Sequence, residues 1–205
     1  LSTVEVTRNY GAEVVLVPGV YDDAAAEATR LVEEKGYTFA HPFNDEYVMA
    51  GQGTIGLEIL EQLPDVDQVV VPIGGGGLIA GIACAIKSLK PSCKVIGVQA
   101  AGAASMYTSR REGHPVTLPS VSTIADGIAV KRPGDLTFEM VQKYVDEIVT
   151  VKEDEIATAI LALMEDQKTV AEGAGATTIA AVMFGKVNAT DKKTVCVVSG
   201  GNIDV

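Results

Sequence analysis

Little in this 205-residue chain could bind a metal or build a disulfide framework, since it has three cysteines and two histidines. Cys84, Cys93 and Cys196 are odd in number, sit in or beside apolar runs and form no C-x-x-C pair, and His41 and His114 are far apart. That usage fits reduced thiols in a cytosolic protein. No apolar run approaches the length that spans a bilayer. Leu1-Ser2-Thr3-Val4-Glu5 has neither the basic start nor the apolar stretch of a signal peptide. It also lacks an initiator methionine, so the chain is expected to begin inside something longer. Positive charge is scarce, with 16 Lys and Arg against 27 Asp and Glu, a net charge of −11. Such a surface repels phosphate backbones and acidic lipid, which disfavours nucleic acid and membrane as partners. With 47% hydrophobic residues the chain is too apolar for disorder and long enough to bury a core.

The chain alternates strand-like and helix-like segments. Strands are expected at residues 12–17, 37–41, 69–73, 95–98, 148–151 and 194–198. Helices are expected after Asp22 and Asp23 (an N-cap and a first-turn acid), from about Asp45, over 78–89, near Ala103, and over 136–145, 154–167 and 171–184. Residues 69–73 (Val-Val-Val-Pro-Ile) form a continuous apolar run, as strands buried on both faces of a parallel sheet do. The expected fold class is α/β, a parallel sheet with helices on both faces. In such folds ligands bind beyond the carboxyl ends of the strands. Two glycine clusters fall there.

Gly74-Gly75-Gly76-Gly77 joins the most apolar strand to an Ala- and Ile-rich helix. Without Cβ atoms several backbone amides can converge on one anion, and the helix start adds partial positive charge. One glycine would suit an ordinary tight turn; four favour a phosphate. A Walker loop would end in Lys and Ser or Thr, whereas Leu78 and Ile79 follow here. A dinucleotide is harder to exclude, because Gly75, Gly77 and Ala80 satisfy a relaxed G-x-G-x-x-A pattern. The next strand, however, is followed by Gln99 where a ribose-binding acid would stand. Ser199-Gly200-Gly201-Asn202 closes the last strand and reads either as a turn or as part of one shared ligand site.

These residues carry a resemblance. Val71-Pro72-Ile73-Gly74-Gly75-Gly76-Gly77-Leu78-Ile79-Ala80-Gly81 resembles the phosphate loop of pyridoxal-phosphate enzymes of the tryptophan-synthase-β class (fold type II), and within it the threonine and serine dehydratases. Gly51-Gln52-Gly53-Thr54, Thr123-Ile124-Ala125-Asp126-Gly127, Glu172-Gly173-Ala174-Gly175 and Ser199-Gly200-Gly201-Asn202 have counterparts in the same order. The segments 95–99 and 132–136 are most similar to the catabolic threonine dehydratase. The resemblance implies pyridoxal phosphate as cofactor. Gly74, Gly75, Gly76, Gly77 and the amide of Leu78 would hold its phosphate. Ser199 would meet the pyridine nitrogen, giving a milder electron sink than a carboxylate. Glu172 and Gly127 would lie beside the ring. Glu172 reads equally well as an N-cap or first-turn acid, Asp126 as a turn residue, and Thr54 as a helix-starting residue.

Two family features are missing. The Ser-x-Lys-x-Arg-Gly motif with the Schiff-base lysine has no counterpart, and Lys87, Lys90, Lys94 and Lys168 match no catalytic position. The catalytic lysine is therefore expected upstream of this chain, and the isolated chain is expected to be inactive. Acids that bind a divalent cation in serine racemases are replaced by Gln99 and Ser105, so no metal is expected there. The implied division is residues 1–44 as the end of a small domain and 45–205 as most of a large cofactor-binding domain. The implied protein is a cytoplasmic homo-oligomer, a lyase of threonine catabolism or isoleucine biosynthesis acting on L-threonine or L-serine. Serine racemase activity, or a non-catalytic phosphate-binding half of a split enzyme, are the alternatives. A nucleotide effector is left open.

Overall fold

The computed structural model describes residues 2–19 and 21–203. The chain divides into two compact units, residues 1–40 with the segment from Asn202, and His41–Gly201. The first holds α1 (Ser2–Asn9) and α2 (Tyr21–Lys35). Asp22 and Asp23 both lie inside the first turn of α2, complementing the helix dipole, so Asp22 is not the N-cap. The helix stops at Gly36, whose φ of +70° suits a residue without Cβ and whose amide donates to the Val32 carbonyl at 2.9 Å. Residues 12–17 and 37–41, expected as strands, form none. Their composition is β-like, but among the described residues no ladder partner satisfies their amides and carbonyls, and a strand exists only through such pairing.

The second unit is built on four parallel strands: β1 (Gln68–Pro72), β2 (Lys94–Ala100), β3 (Glu147–Val151) and β4 (Thr194–Cys196), in the order β3-β2-β1-β4. Val70 lies level with Ile96 on one side and Cys196 on the other. β1 is buried along its whole length, as its apolar run requires. Alternate side chains enter two cores. Val70, Ile96 and Val98 pack under α7 (Glu153–Gln167) and α8 (Gly173–Met183). Val69, Val71 and Val95 pack under α4 (Gly77–Leu89) and α6 (Asp135–Tyr144). Each such valine contributes about 1.5–3 kcal/mol by leaving water. α5 (Ser105–Glu112) follows β2 after a 3-10 turn at Ala101–Ala103.

α3 (Glu46–Gln62) is capped by Asp45, whose carboxylate accepts from the amides of Tyr47 and Val48 at 2.8 and 3.0 Å. It crosses α4 through glycines. A Cβ on Gly81 would overlap the Met49 carbonyl oxygen, and one on Gly56 would stand 3.0 Å from the Ile82 carbonyl oxygen. Thr54 sits in the middle of α3, its hydroxyl donating to the Gly51 carbonyl at 2.8 Å, so it does not start the helix. Among the described residues no helix is long and apolar enough to cross a membrane.

Candidate functional site at the strand ends

β1 delivers the four glycines to the start of α4. Gly76 is the N-cap residue, left-handed at φ +101°, and no side chain caps the helix. The first helical bond runs from the Ala80 amide to the Gly76 carbonyl at 3.0 Å. The amides of Gly77, Leu78 and Ile79 precede it and have no helical acceptor. Their dipoles sum in one direction, so this end suits an anion held without any cationic side chain.

Packing accounts for every glycine in the loop. A Cβ on Gly74 would stand 3.0 Å from Ile128 Cα, and one on Gly77 would stand 2.9 Å from Phe43 Cα. On Gly75 it would fall against the ring of Phe43. On Gly76 it would meet Met106 Cε at 2.7 Å and Thr137 Cβ at 2.9 Å. The number of glycines thus follows from close approach by the protein's own backbone and side-chain atoms. The capacity for an anion follows from the uncapped amides.

The neighbours that press on the loop are themselves fixed. The amides of Phe43 and Asn44 donate to His41 Nδ1 at 3.2 and 2.8 Å, and the two rings meet edge to face at 4.6 Å. An Nδ1 that accepts must be unprotonated, and burial accordingly holds the His41 pKa below its ordinary value. Asn44 Oδ1 accepts from the Leu136 amide at 3.0 Å, at the start of α6. Gln99, wholly buried, donates to the Ile73 carbonyl at 3.2 Å and accepts from the Tyr107 amide at 2.8 Å. It ties the head of the glycine loop to the first turn of α5. Ser105 is buried, and its hydroxyl has no partner among the described residues. Sequence reasoning missed Phe43, Asn44 and Thr137. Only Gln99, polar inside an apolar strand, carried a local signal.

The remaining expected residues gather beside the loop. Glu172 occupies the N-cap position of α8, yet its side chain makes no cap there. Its amide donates to the Gly200 carbonyl at 3.1 Å. Its carboxylate runs between two glycines: Oε1 lies 2.8 Å from where a Gly200 Cβ would be and 3.4 Å from where a Gly127 Cβ would be. The Gly127 carbonyl in turn lies 3.5 Å from the Cβ position of Gly74. Ser199 is exposed, its amide 3.4 Å from the Cβ position of Gly175. Asp126 accepts from the Gly127 amide at 2.9 Å, the turn role expected of it. None of the four lysines considered joins this cluster. Lys87 pairs with Asp146 at 2.7 Å, Lys90 and Lys168 donate to the Pro64 and Glu165 carbonyls, and Lys94 begins β2 at the opposite end of the sheet. All three cysteines are free; burial raises Cys93 and pushes Cys196 up to about 11, so neither is a ready nucleophile.

The profile of the family described as "pyridoxal-phosphate dependent enzyme" matches residues 2–201. The chain belongs to that family. As a member of the pyridoxal-phosphate dependent enzymes it is 58% identical over 205 residues to the L-threonine ammonia-lyase of Thermotoga maritima, covering 100% of this chain and 51% of that protein. It is 50% identical over 206 residues to the catabolic L-threonine dehydratase TdcB of Escherichia coli, covering 100% of this chain and 63% of that protein. The processed form of threonine deaminase isoform 2 from Solanum lycopersicum superposes with a TM-score of 0.92 at 40% identity, over 99% of this chain and 56% of that one. The fold is therefore the tryptophan-synthase-β-like one expected from the sequence. The chain spans between half and two thirds of the length of these relatives.

Proposed function

We propose that this chain is the cofactor-docking part of a pyridoxal-phosphate-dependent threonine ammonia-lyase, converting L-threonine, or L-serine, to a 2-oxo acid and ammonia. The observation that carries the reading is the convergence at one end of the sheet of an uncapped helix start, Gly127, Glu172 and the Ser199-Gly200 turn. The donor set fits the cofactor: backbone amides for a phosphate and a hydroxyl for a ring nitrogen. When bound, the cofactor supplies the electron sink that stabilises negative charge at the amino acid's α-carbon. Gly74, Gly75, Gly76, Gly77 and the Leu78 amide bind and orient its phosphate. Ser199 offers the pyridine nitrogen a hydrogen bond that does not require the nitrogen to be protonated. Glu172 and Gly127 line the space beside the ring. The lysine that bonds the cofactor and moves the α-proton lies outside these residues. The reading carries with it a homo-oligomeric cytoplasmic enzyme, residues 1–44 belonging to a small domain, and room for a nucleotide effector.

The test uses the full-length protein. Pyridoxal phosphate should bind, and L-threonine should yield 2-oxobutyrate and ammonia. Ser199→Ala should leave unfolding stability unchanged and lower turnover, since a lost hydrogen bond to the ring is worth about 1–3 kcal/mol. Racemisation of serine without ammonia release, or turnover indifferent to Ser199, would overturn the assignment.

A further inference from the structure

Glycines that allow the loop its shape also leave it free to change shape. The peptide plane between Gly75 and Gly76 has a residue without Cβ on either side, so sterics alone hold it weakly. That plane matters for an anion. In a trans peptide the carbonyl and the next amide point in opposite directions. Turned one way the plane presents the Gly76 N–H; flipped, it presents the Gly75 oxygen, which repels negative charge.

The plane is held from one side. The Gly75 carbonyl accepts from the Thr137 hydroxyl at 2.6 Å and from the Gly134 amide at 3.3 Å. Thr137 is wholly buried in the first turn of α6. A threonine there could donate instead to its own helix, and the Gly134 carbonyl does lie 3.1 Å away. The shorter contact is to the loop, and a hydroxyl has one proton to give. The Thr137 backbone is positioned in turn by Asn44, whose Oδ1 is 3.4 Å from its amide.

We propose that Thr137 is a positioning residue of the phosphate cradle. Its hydroxyl ties the Gly75 carbonyl back towards α6 and so keeps the Gly76 amide on the anion-binding side. The inference rests on the reading that this loop holds the cofactor's phosphate, and the experiment separates the two. In the full-length protein, affinities for pyridoxal phosphate and for pyridoxal, which lacks the phosphate, are measured on wild type, Thr137→Val and Thr137→Ser. Thr137→Val keeps the shape and removes the donor. It should weaken pyridoxal phosphate about tenfold, the equivalent of one hydrogen bond, while changing pyridoxal less than about twofold. Thr137→Ser restores the donor and should recover most of the loss. Thr137→Ala, which adds no methyl against the carbonyl, must repeat the pattern if the valine variant folds poorly. A wild-type preference retained in a folded variant without the hydroxyl overturns the role of Thr137. Parallel loss of both ligands does so too, since it would mark a general folding role. A wild-type protein that does not prefer pyridoxal phosphate over pyridoxal overturns the phosphate-cradle reading itself.

Discussion

Gly76→Ala tests whether packing or ligand geometry shapes the loop. Two penalties combine. The first is conformational: φ of +101° is a region L side chains rarely adopt, and the strain is about 1–2 kcal/mol. The second is steric. The new methyl would stand 2.7 Å from Met106 Cε, 2.9 Å from Thr137 Cβ and 3.0 Å from Thr137 Oγ1. Met106 can move its terminal methyl, but Thr137 is β-branched, buried and set in a helix, so the backbone must shift, at about 1–3 kcal/mol. Together the loss is about 2–5 kcal/mol. Gly113→Ala is the internal control, because Gly113 has φ +78° with nothing within 4 Å of its Cβ position. It should lose the conformational part alone, about 1–2 kcal/mol. Urea denaturation of the two full-length variants and wild type, compared at equal m-values, reads the difference. Equal losses in both variants would refute the claim that Met106 and Thr137 shape the loop.

Four other outcomes follow from contacts described above. Gly81→Ala drives a methyl onto the Met49 carbonyl and against the Gly53 amide nitrogen at 2.7 Å, backbone atoms that cannot rotate away, so unfolding stability should fall by about 3 kcal/mol or more. Gly51→Ala on the same helix α3, with open space around it, should gain about 0.5–1 kcal/mol, and a loss there would contradict the α3 packing described. Gln99→Leu strands the Ile73 carbonyl and Tyr107 amide in the interior; differential denaturation should show a loss of about 2–4 kcal/mol, and a neutral result would mean neither bond matters. His41 is held neutral when folded, its pKa lowered by burial, so its contribution is complete above the ordinary value near 6.5 and is lost as pH falls through the folded value. Denaturation midpoints of wild type should drop towards those of His41→Ala as pH falls from about 7.5 to below about 6.5, and a constant gap would refute this contribution of His41.

The sequence revealed the sheet wherever strands are buried on both faces. β1, expected at 69–73 and found at Gln68–Pro72, was legible almost to the residue because a continuous apolar run leading into glycines has few other readings, whereas β2, expected at 95–98, extends over Lys94–Ala100. Residues 12–17 have the same β-branched character and are not a strand, because the ladder bonds that make one come from a neighbour rather than from composition. At the site, glycines could be read because their conformational freedom is local. What holds them could not. Thr137 reaches Gly75 across 62 positions, and nothing in Asp-Leu-Thr-Phe distinguishes that threonine from any other in a helix's first turn. Asn44 and Phe43 act across the same fold-made distances. The place of Glu172 at the start of α8 was anticipated, but that its carboxylate leaves the cap and runs between Gly127 and Gly200 required coordinates.

The start of α4 offers amides and no side chain. Such a binding surface has no side chain of its own for alanine scanning to delete, so a survey that only truncates would register it only through residues behind it, such as Thr137. It fails by gain, when a methyl or a carboxylate is added where none fits. It also has no proton to lose near neutral pH, unlike a lysine- or histidine-based anion site. Its grip on a phosphate would vary with pH only as the phosphate's own ionisation does, which leaves the protonation of the ligand, rather than of the protein, to set that part of the binding profile.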